Sequence, residues 1–455
     1  MKKSFIFFVA LLLAFGGAHA HGAQLKDTAA MAEQALEQAG QAYQRGDAEE
    51  AYRLCTEAIM RAPEDPNGWF YRGLYAAASG NSGSAYVDYS YTLSLAQEPM
   101  LYLFRADLME GDGRWQELIW DCTMAISLGL ETEQLLALRS KGYSMLGCYG
   151  EALADVNRGL ALFPDSLSML NARGVLHYHQ GNFEEALADY QAVLEAVGEQ
   201  GVLYYNIAVS LYLLNRKEEA DLAARKAADL AGMTITRELA RADFDALKKT
   251  APYAPADQRE KEAASLREAG LAAYYQGEEE KALAQCRQAI LANPHGAEAY
   301  YLCGFLYAGM GELQNAMECF AFALSKAPEN ASCLSEMAQL LLRQDRGPES
   351  AIFLERAARI EPENAQIYYN YGITLYFSLQ GEEALPFMDK AIALDDTVAL
   401  YHGGRGDVLT SLKRYEEAIS AYERCIALDP ADEMAAISLA MCKVMAAQQE
   451  EEPVR

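Results

Sequence analysis

Positive charge is what this chain has least of: 38 Lys and Arg stand against 65 Asp and Glu, for a formal charge of −27. Nucleic acid is thereby excluded as a partner, since binding it needs clustered cations that displace phosphate counterions. An anionic membrane surface is disfavoured for the same reason. The acidity itself reads as a solvated, soluble surface. Catalytic signatures are absent as well. No GxxxxGK(S/T) loop, HExxH helix or GxSxG elbow occurs in the 455 residues. The 6 histidines are dispersed, and His177 and His179 lie two apart on one helix, so they point apart and make a poor metal site. The cysteines number 9, an odd count with no CxxC spacing, and imply neither a zinc site nor a complete disulfide framework. Many acidic residues sit in pairs at helix starts, as in Glu184-Glu185 and Glu416-Glu417, where they complement the helix dipole. The chain reads as no enzyme, with no cofactor and no metal.

Long apolar runs are also lacking, with one short exception. Lys2 and Lys3 precede an apolar stretch from Phe5 to Phe15, followed by Gly16-Gly17 and Ala18-His19-Ala20. A basic start, an apolar middle and a small-x-small end read as a signal peptide over residues 1–20. A membrane anchor would need about 18–20 apolar residues, so cleavage leaves an exported chain starting at His21. No cysteine stands at the cleavage point to carry a lipid. The periplasm is the expected location, with the extracellular space as the alternative. His21 has no second histidine nearby in the cleaved chain to complete a copper site.

What the chain does have is a 34-residue period. Small residues recur at the eighth position of each frame, as Ala39, Gly73, Ala106, Ser140, Gly174, Ala208, Gly270, Gly304, Ala338, Gly372 and Gly406. They recur twelve further on, from Ala51 to Ala418, with Leu118 the exception. Such a period marks a solenoid, in which each unit packs only on its neighbours. Frames begin at residues 32, 66, 99, 133, 167 and 201, then at 263, 297, 331, 365 and 399. Each reads as two amphipathic helices. Positions eight and twenty are expected to face each other where the helices cross, because a large side chain there would force them apart.

Residues 235–262 break the period and read as a closing helix and linker. The first array then spans 32–234 with six units, after a lead-in over 21–31, and the second spans 263–432 with five. Residues 433–447 read as a capping helix with a polar outer side, and 448–455 as a disordered acidic tail. Fragments ending near residue 255 and beginning near 258 are expected to fold separately.

The units resemble tetratricopeptide repeats. Trp69, Gly73, Ala85 and Tyr89 match that family's pattern in the second unit, and Tyr300, Gly304, Tyr307, Ala316, Phe320 and Pro328 match it in the eighth. The resemblance covers roughly residues 32–432 and implies an all-α, right-handed α-solenoid of about eleven helix-turn-helix units in two arrays. Leu118 in the third unit and the late Gly381 in the tenth depart from the pattern.

Units two to five share a second signature, Arg at position seven and Asp sixteen residues later. The pairs are Arg72 with Asp88, Arg105 with Asp121, Arg139 with Asp155 and Arg173 with Asp189. These read as register-setting ion pairs between the two helices of a unit, in preference to a charged binding row, because a buried charge requires a partner. No unit of the second array keeps both members. Unit eight instead carries Cys303 and Cys319 at those positions, a candidate disulfide in an exported protein, with Cys333 a competing partner. Cys55, Cys122 and Cys286 stand where other units place aromatic rings and read as core.

The resemblance also implies that the first helix of each unit lines an inner groove. Candidate groove residues are Tyr43, Phe70, Tyr178, Tyr205, Tyr212, Tyr274, Tyr301, Phe305, Tyr369 and Tyr376. Aromatic rings with a polar tip suit recognition, while packing within the repeats is the competing account of the same residues. Family members that bind acidic tails use a clamp of Lys and Asn in this groove. Here Lys141 is the only cation at the ninth positions, so that clamp is absent and an extended apolar or aromatic segment is the better fit. The expected function is an exported, non-enzymatic scaffold that binds protein or peptide segments and assembles a cell-envelope complex. The alternative is a glycan-binding component of polysaccharide export or secretion.

Overall fold

Residues 23–247, 256–293 and 296–451 are described by the structure, a computed structural model. The leader at 1–20, His21, residues 248–255 of the linker and the end of the acidic tail lie outside the described residues. Twenty-four helices and no strand make up what is described, arranged as an all-α helical repeat solenoid.

Each repeat is a helical hairpin with its stops and starts written locally. In the fifth repeat Ser166 caps Leu167–Gln180 by accepting the Met169 N–H at 3.1 Å. Gly181, at φ 83°, ends that helix, and the Asn182 N–H returns to the His177 carbonyl at 2.8 Å. The same left-handed turn position holds Leu379 in the tenth repeat, at φ 60°. The late Gly381 thus leaves a leucine in a backbone region that favours glycine.

The small residue at position eight has a different main partner from the one expected. A Cβ on Gly174 would stand 2.7 Å from the Tyr190 ring, on Gly304 2.8 Å from Phe320, and on Gly406 2.6 Å from Tyr422. The ring at position twenty-four fills the crossing, and the glycine makes room for it. Positions eight and twenty do meet where the ring is missing or moved: Ser140 Oγ donates to the Ala152 carbonyl at 3.0 Å, and Ser350 Oγ to the Ala338 carbonyl at 2.7 Å. Leu118 is accommodated by the next repeat, where a Cβ on Gly142 would lie 3.1 Å from its Cδ2.

Two compact units divide the chain, and their boundary does not follow the two arrays. The first takes in the described parts of Met1–Ala96, Leu266–Ile290 and Gly296–Arg455. The second takes in Gln97–Ser265 and Leu291–His295 where described.

Within the first unit, the helix Ser82–Leu95 of the second repeat packs against Leu313–Lys326 of the eighth. All its residues from Ala85 to Ser94 are buried. Tyr86 stacks on Phe322 with centroids 6.0 Å apart, and Phe353 is shared by Tyr91 at 4.6 Å and Trp69 at 5.7 Å. Arg356 donates to Ser94 Oγ at 3.1 Å, to the Ser94 carbonyl at 3.2 Å and to the Pro328 carbonyl at 3.0 Å. A cut near residue 255 would separate these partners, so the expectation of two independently folding fragments does not suit this unit.

The unit ends in Glu433–Glu451, a helix that continues past Ala447 into the segment read as a tail. Its outer side is apolar, with Met434, Ile437, Met441 and Val444 exposed, where a polar face was expected.

The second unit carries the third to sixth repeats, from Pro99–Asp112 to Lys217–Ala231. The closing helix, Arg237–Leu247, packs on Gly201–Leu213, the first helix of the sixth repeat. Its Phe244 reaches Phe183 at 4.9 Å and Tyr178 at 5.8 Å.

Candidate functional site

The expected groove residues fall into three groups. Phe70 is fully buried against Tyr89, and Tyr212 is buried with its hydroxyl donating to Asp221 Oδ1 at 2.6 Å. Both are core residues, so the structure removes them from the groove set. Their helices, Pro66–Ala78 and Gly201–Leu213, are buried on nearly every side, which a face assigned by position alone does not register. Tyr178 is half-buried and covered in part by Phe244.

The remaining seven are half-buried. In the first unit Tyr43 stacks on Tyr75 at 4.7 Å, Tyr301 leans on Phe320 at 5.8 Å, and Tyr369 meets Tyr401 at 5.2 Å. Tyr274 and Phe305 meet edge to face at 5.5 Å, and Tyr376 lies beside Phe377 at 5.3 Å. In the second unit Tyr205 packs at the edge of the core formed by Tyr190, Leu203 and Ile207. Two largely exposed rings went unnoticed in the sequence, Tyr275 and Phe377, each next to a residue that was singled out. Burial and the nearby Asp407 push the Tyr369 phenol up to about 12, so it enters any contact as a neutral donor.

Tyr274 and Phe305 also line a cavity of about 250 Å³. Glu279, Glu336 and Arg343 supply its charged groups, and Arg343 Nη1 donates to the Ala308 carbonyl at 3.1 Å. Glu336 is half-buried, and burial pushes its carboxyl above the ordinary range.

The four arginine–aspartate pairs form, each with two hydrogen bonds from one guanidinium edge to one carboxylate. The closest N–O separations are 2.7, 2.7, 2.6 and 2.7 Å from Arg72 to Arg173 in chain order. Exposure is negligible in the first two pairs and greater in the last two. Arg72 and Asp88 are 1% and 2% exposed, and Arg105 and Asp121 are both at 0%. Arg139 and Asp155 stand at 16% and 7%, and Arg173 and Asp189 at 31% and 8%. The expectation of buried charges on both sides therefore needs correcting for the last two pairs. Asp155 and Asp189 are buried, but Arg139 and Arg173 keep part of their side chains in water.

Arg72 is enclosed because the Trp69 and Tyr52 rings lie 4.9 and 5.3 Å from its guanidinium carbon. It holds a second carboxylate as well, with Nη1 2.6 Å from Glu349 Oε2. Glu349 in turn accepts from Arg346 at 2.6 Å. Burial alone would raise the Glu349 carboxyl, but Arg72 and Arg346 outweigh it and hold the group at about 2. Arg405, whose own repeat has Ala421 in the partner slot, reaches back one repeat to Asp389 Oδ1 at 2.7 Å.

The cysteine expectation is corrected. All nine cysteines are free thiols, and no disulfide joins Cys303 to Cys319. The two thiols hydrogen-bond instead, which together with burial drives the Cys303 thiol far above its usual range. Cys333, the competing partner, donates its thiol to the Phe320 carbonyl at 3.3 Å. Among the described residues, no group of three His, Cys, Asp or Glu is placed to hold a metal ion, and no helix is long and apolar enough to cross a membrane.

Three tetratricopeptide-repeat models match the sequence, over residues 146–201, 297–330 and 399–432. No curated protein matches it. Among solved structures, a thermophilic tetratricopeptide-repeat protein of Thermus thermophilus is 19% identical over 40% of this chain and 99% of its own, with a TM-score of 0.36. YrrB, described as having an unusual peptide-binding site, is 21% identical over 40% of this chain and 93% of its own, with a TM-score of 0.34. Yeast Tom70 is 14% identical over 92% of this chain and 96% of its own, with a TM-score of 0.36.

Proposed function

We propose, with tetratricopeptide repeats as the premise, that this chain is an exported, non-enzymatic scaffold that binds extended protein segments along the faces that the first helices form within each unit. Repeats of this kind are typically protein-interaction scaffolds. One observation carries the reading: aromatic residues on those faces are left half-buried in both units, with Tyr274, Tyr301, Phe305, Tyr369 and Tyr376 in the first and Tyr205 in the second. A ring that served packing alone would be fully covered, as Phe70 is. Half-covered rings are already held in place and lose little freedom on contact with a ligand. Assembly of a cell-envelope complex is the role we assign to such binding in an exported chain.

The glycan reading has one observation in its favour, the largely exposed rings of Tyr275 and Phe377, which could stack against sugars. Peptide and glycan arrays separate the two. The exported protein, recovered with His21 at its N-terminus, is expected to bind peptides rich in apolar and aromatic residues. Combined Tyr301→Ala and Tyr369→Ala substitutions should reduce that binding at least about tenfold, since each buried aromatic contact is worth roughly 1 kcal/mol or more. Unchanged peptide binding by the double variant, or binding to glycans alone, would remove the proposal.

A further inference from the structure

We infer that the cavity beside Glu336 receives a cationic side chain, the guanidinium or ammonium group of an arginine or lysine in a bound protein segment. The inference rests on the segment-binding reading and adds a specificity to it. Glu336 lies on Ala331–Leu342, half-buried, and among the described residues its carboxylate has no hydrogen-bond or ion-pair partner. Elsewhere in the same unit the buried carboxylates Asp88 and Glu349 are provided for by Arg72. A carboxylate partly withdrawn from water without a partner loses some hydration, and a cation entering the cavity would supply a partner.

The surroundings suit that cation. Tyr274 and Phe305 present their rings to the cavity, and a cation near an aromatic face gains further attraction. The Tyr301 phenol is close enough for Glu336 to raise it, beyond the effect of its own burial. Glu279 adds a second carboxylate to the lining. Arg343 is the one cation present, and its guanidinium is engaged by the Ala308 carbonyl. An anionic side chain would meet two carboxylates. An apolar one would complete the dehydration of Glu336 with nothing in return. At about 250 Å³ the cavity matches one long side chain and falls below the size of a pocket for a drug-sized ligand. The charge of −27 favours cationic segments over anionic ones at the encounter stage as well.

The test uses the full-length exported chain, immobilised, and acetylated nonapeptide mixtures that are random except for a central Arg, Lys, citrulline, Leu or Glu. Citrulline keeps the shape of arginine and loses its charge. At 0.15 M salt the Arg and Lys mixtures should be retained about tenfold more than the citrulline mixture, the ratio that about 1.4 kcal/mol provides. The Glu336→Gln variant, nearly isosteric, should retain all mixtures at the citrulline level. Equal retention of Arg and citrulline by the unaltered chain would overturn the inference while leaving segment binding in place. So would an Arg preference that survives in Glu336→Gln, because it would then come from the general acidity of the surface. Retention of no mixture at all would overturn the segment-binding reading, and this inference with it.

Discussion

Replacing Arg72 with methionine is expected to destabilise the first compact unit by about 3–5 kcal/mol, the cost of leaving a buried charge without its partner. At this position one guanidinium serves two carboxylates, Asp88 at 2.7 Å and Glu349 at 2.6 Å. Methionine would fill much of the volume and satisfy neither. Arg105→Met strands Asp121, and because that pair is fully buried its cost should fall in the same range. Arg173→Met should cost about 1 kcal/mol or less, since its pair with Asp189 has one partner 31% exposed and is screened by water. Hydrogen exchange followed by mass spectrometry reads the loss directly, in peptides covering 82–95 and 347–360 for Arg72, 115–127 for Arg105 and 183–197 for Arg173. Equal losses at Arg72 and Arg173 would show that burial and the second carboxylate contribute nothing.

The same network gives the unit an acid response. Glu349 is held at about 2, below its ordinary value of 4.5, so its contribution is fully present above pH 4.5. It is lost as the pH falls from there through about 2. A depression of this size corresponds to about 3 kcal/mol. The Glu349→Gln variant should therefore lose less protection between pH 5 and pH 2 than the unaltered chain does.

Cutting the chain in the linker is expected to yield two fragments that bind each other. A fragment of residues 21–255 keeps Ser82–Leu95 but loses Leu313–Lys326, and with it the cover over Tyr86 and Tyr91. A fragment of residues 258–455 loses the partners of Phe322, Phe353 and Glu349. Stacked rings around a desolvated charge network have the composition of an interaction hot spot. Association tighter than about 1 μM is expected when the fragments are mixed, equivalent to about −8 kcal/mol. Light scattering after size exclusion should show one heterodimer, and Arg72→Met in the first fragment should weaken it. Two monomers that ignore each other, each as stable as in the intact chain, would contradict the packing described for the first unit.

That long-range packing was the part the sequence reading missed, and the reason is physical. A period reports what each repeat asks of its neighbours: the glycine at position eight under the ring at twenty-four, and the Arg and Asp sixteen residues apart. Those contacts recur from copy to copy and so stand out. The pairing of the second repeat with the eighth occurs once and leaves no periodic trace. One signal was nonetheless present. Ser82–Leu95 reads Ser-Gly-Ser-Ala-Tyr-Val-Asp-Tyr-Ser-Tyr-Thr-Leu-Ser-Leu, with Asp88 its single charge. A helix with no charged face has none to offer water and is buried all round. Positional reasoning named Tyr274, Tyr301, Phe305 and Tyr369, which are half-buried, but it also counted Phe70 and Tyr212, which the repeats bury. Glu336 could not be singled out among 65 acidic residues, because its isolation is a property of its surroundings.

The segment-binding face is tested most directly by a photo-crosslinking residue placed at Phe377, which is exposed beside Tyr376, and separately at Leu222, which is exposed on the second helix of the sixth repeat. In cells making the full-length chain, Phe377 is expected to yield discrete protein adducts that Leu222 does not, and the Tyr301→Ala, Tyr369→Ala background should diminish them. The same adducts at both positions, or adducts at Phe377 that the double substitution leaves unchanged, would contradict the account.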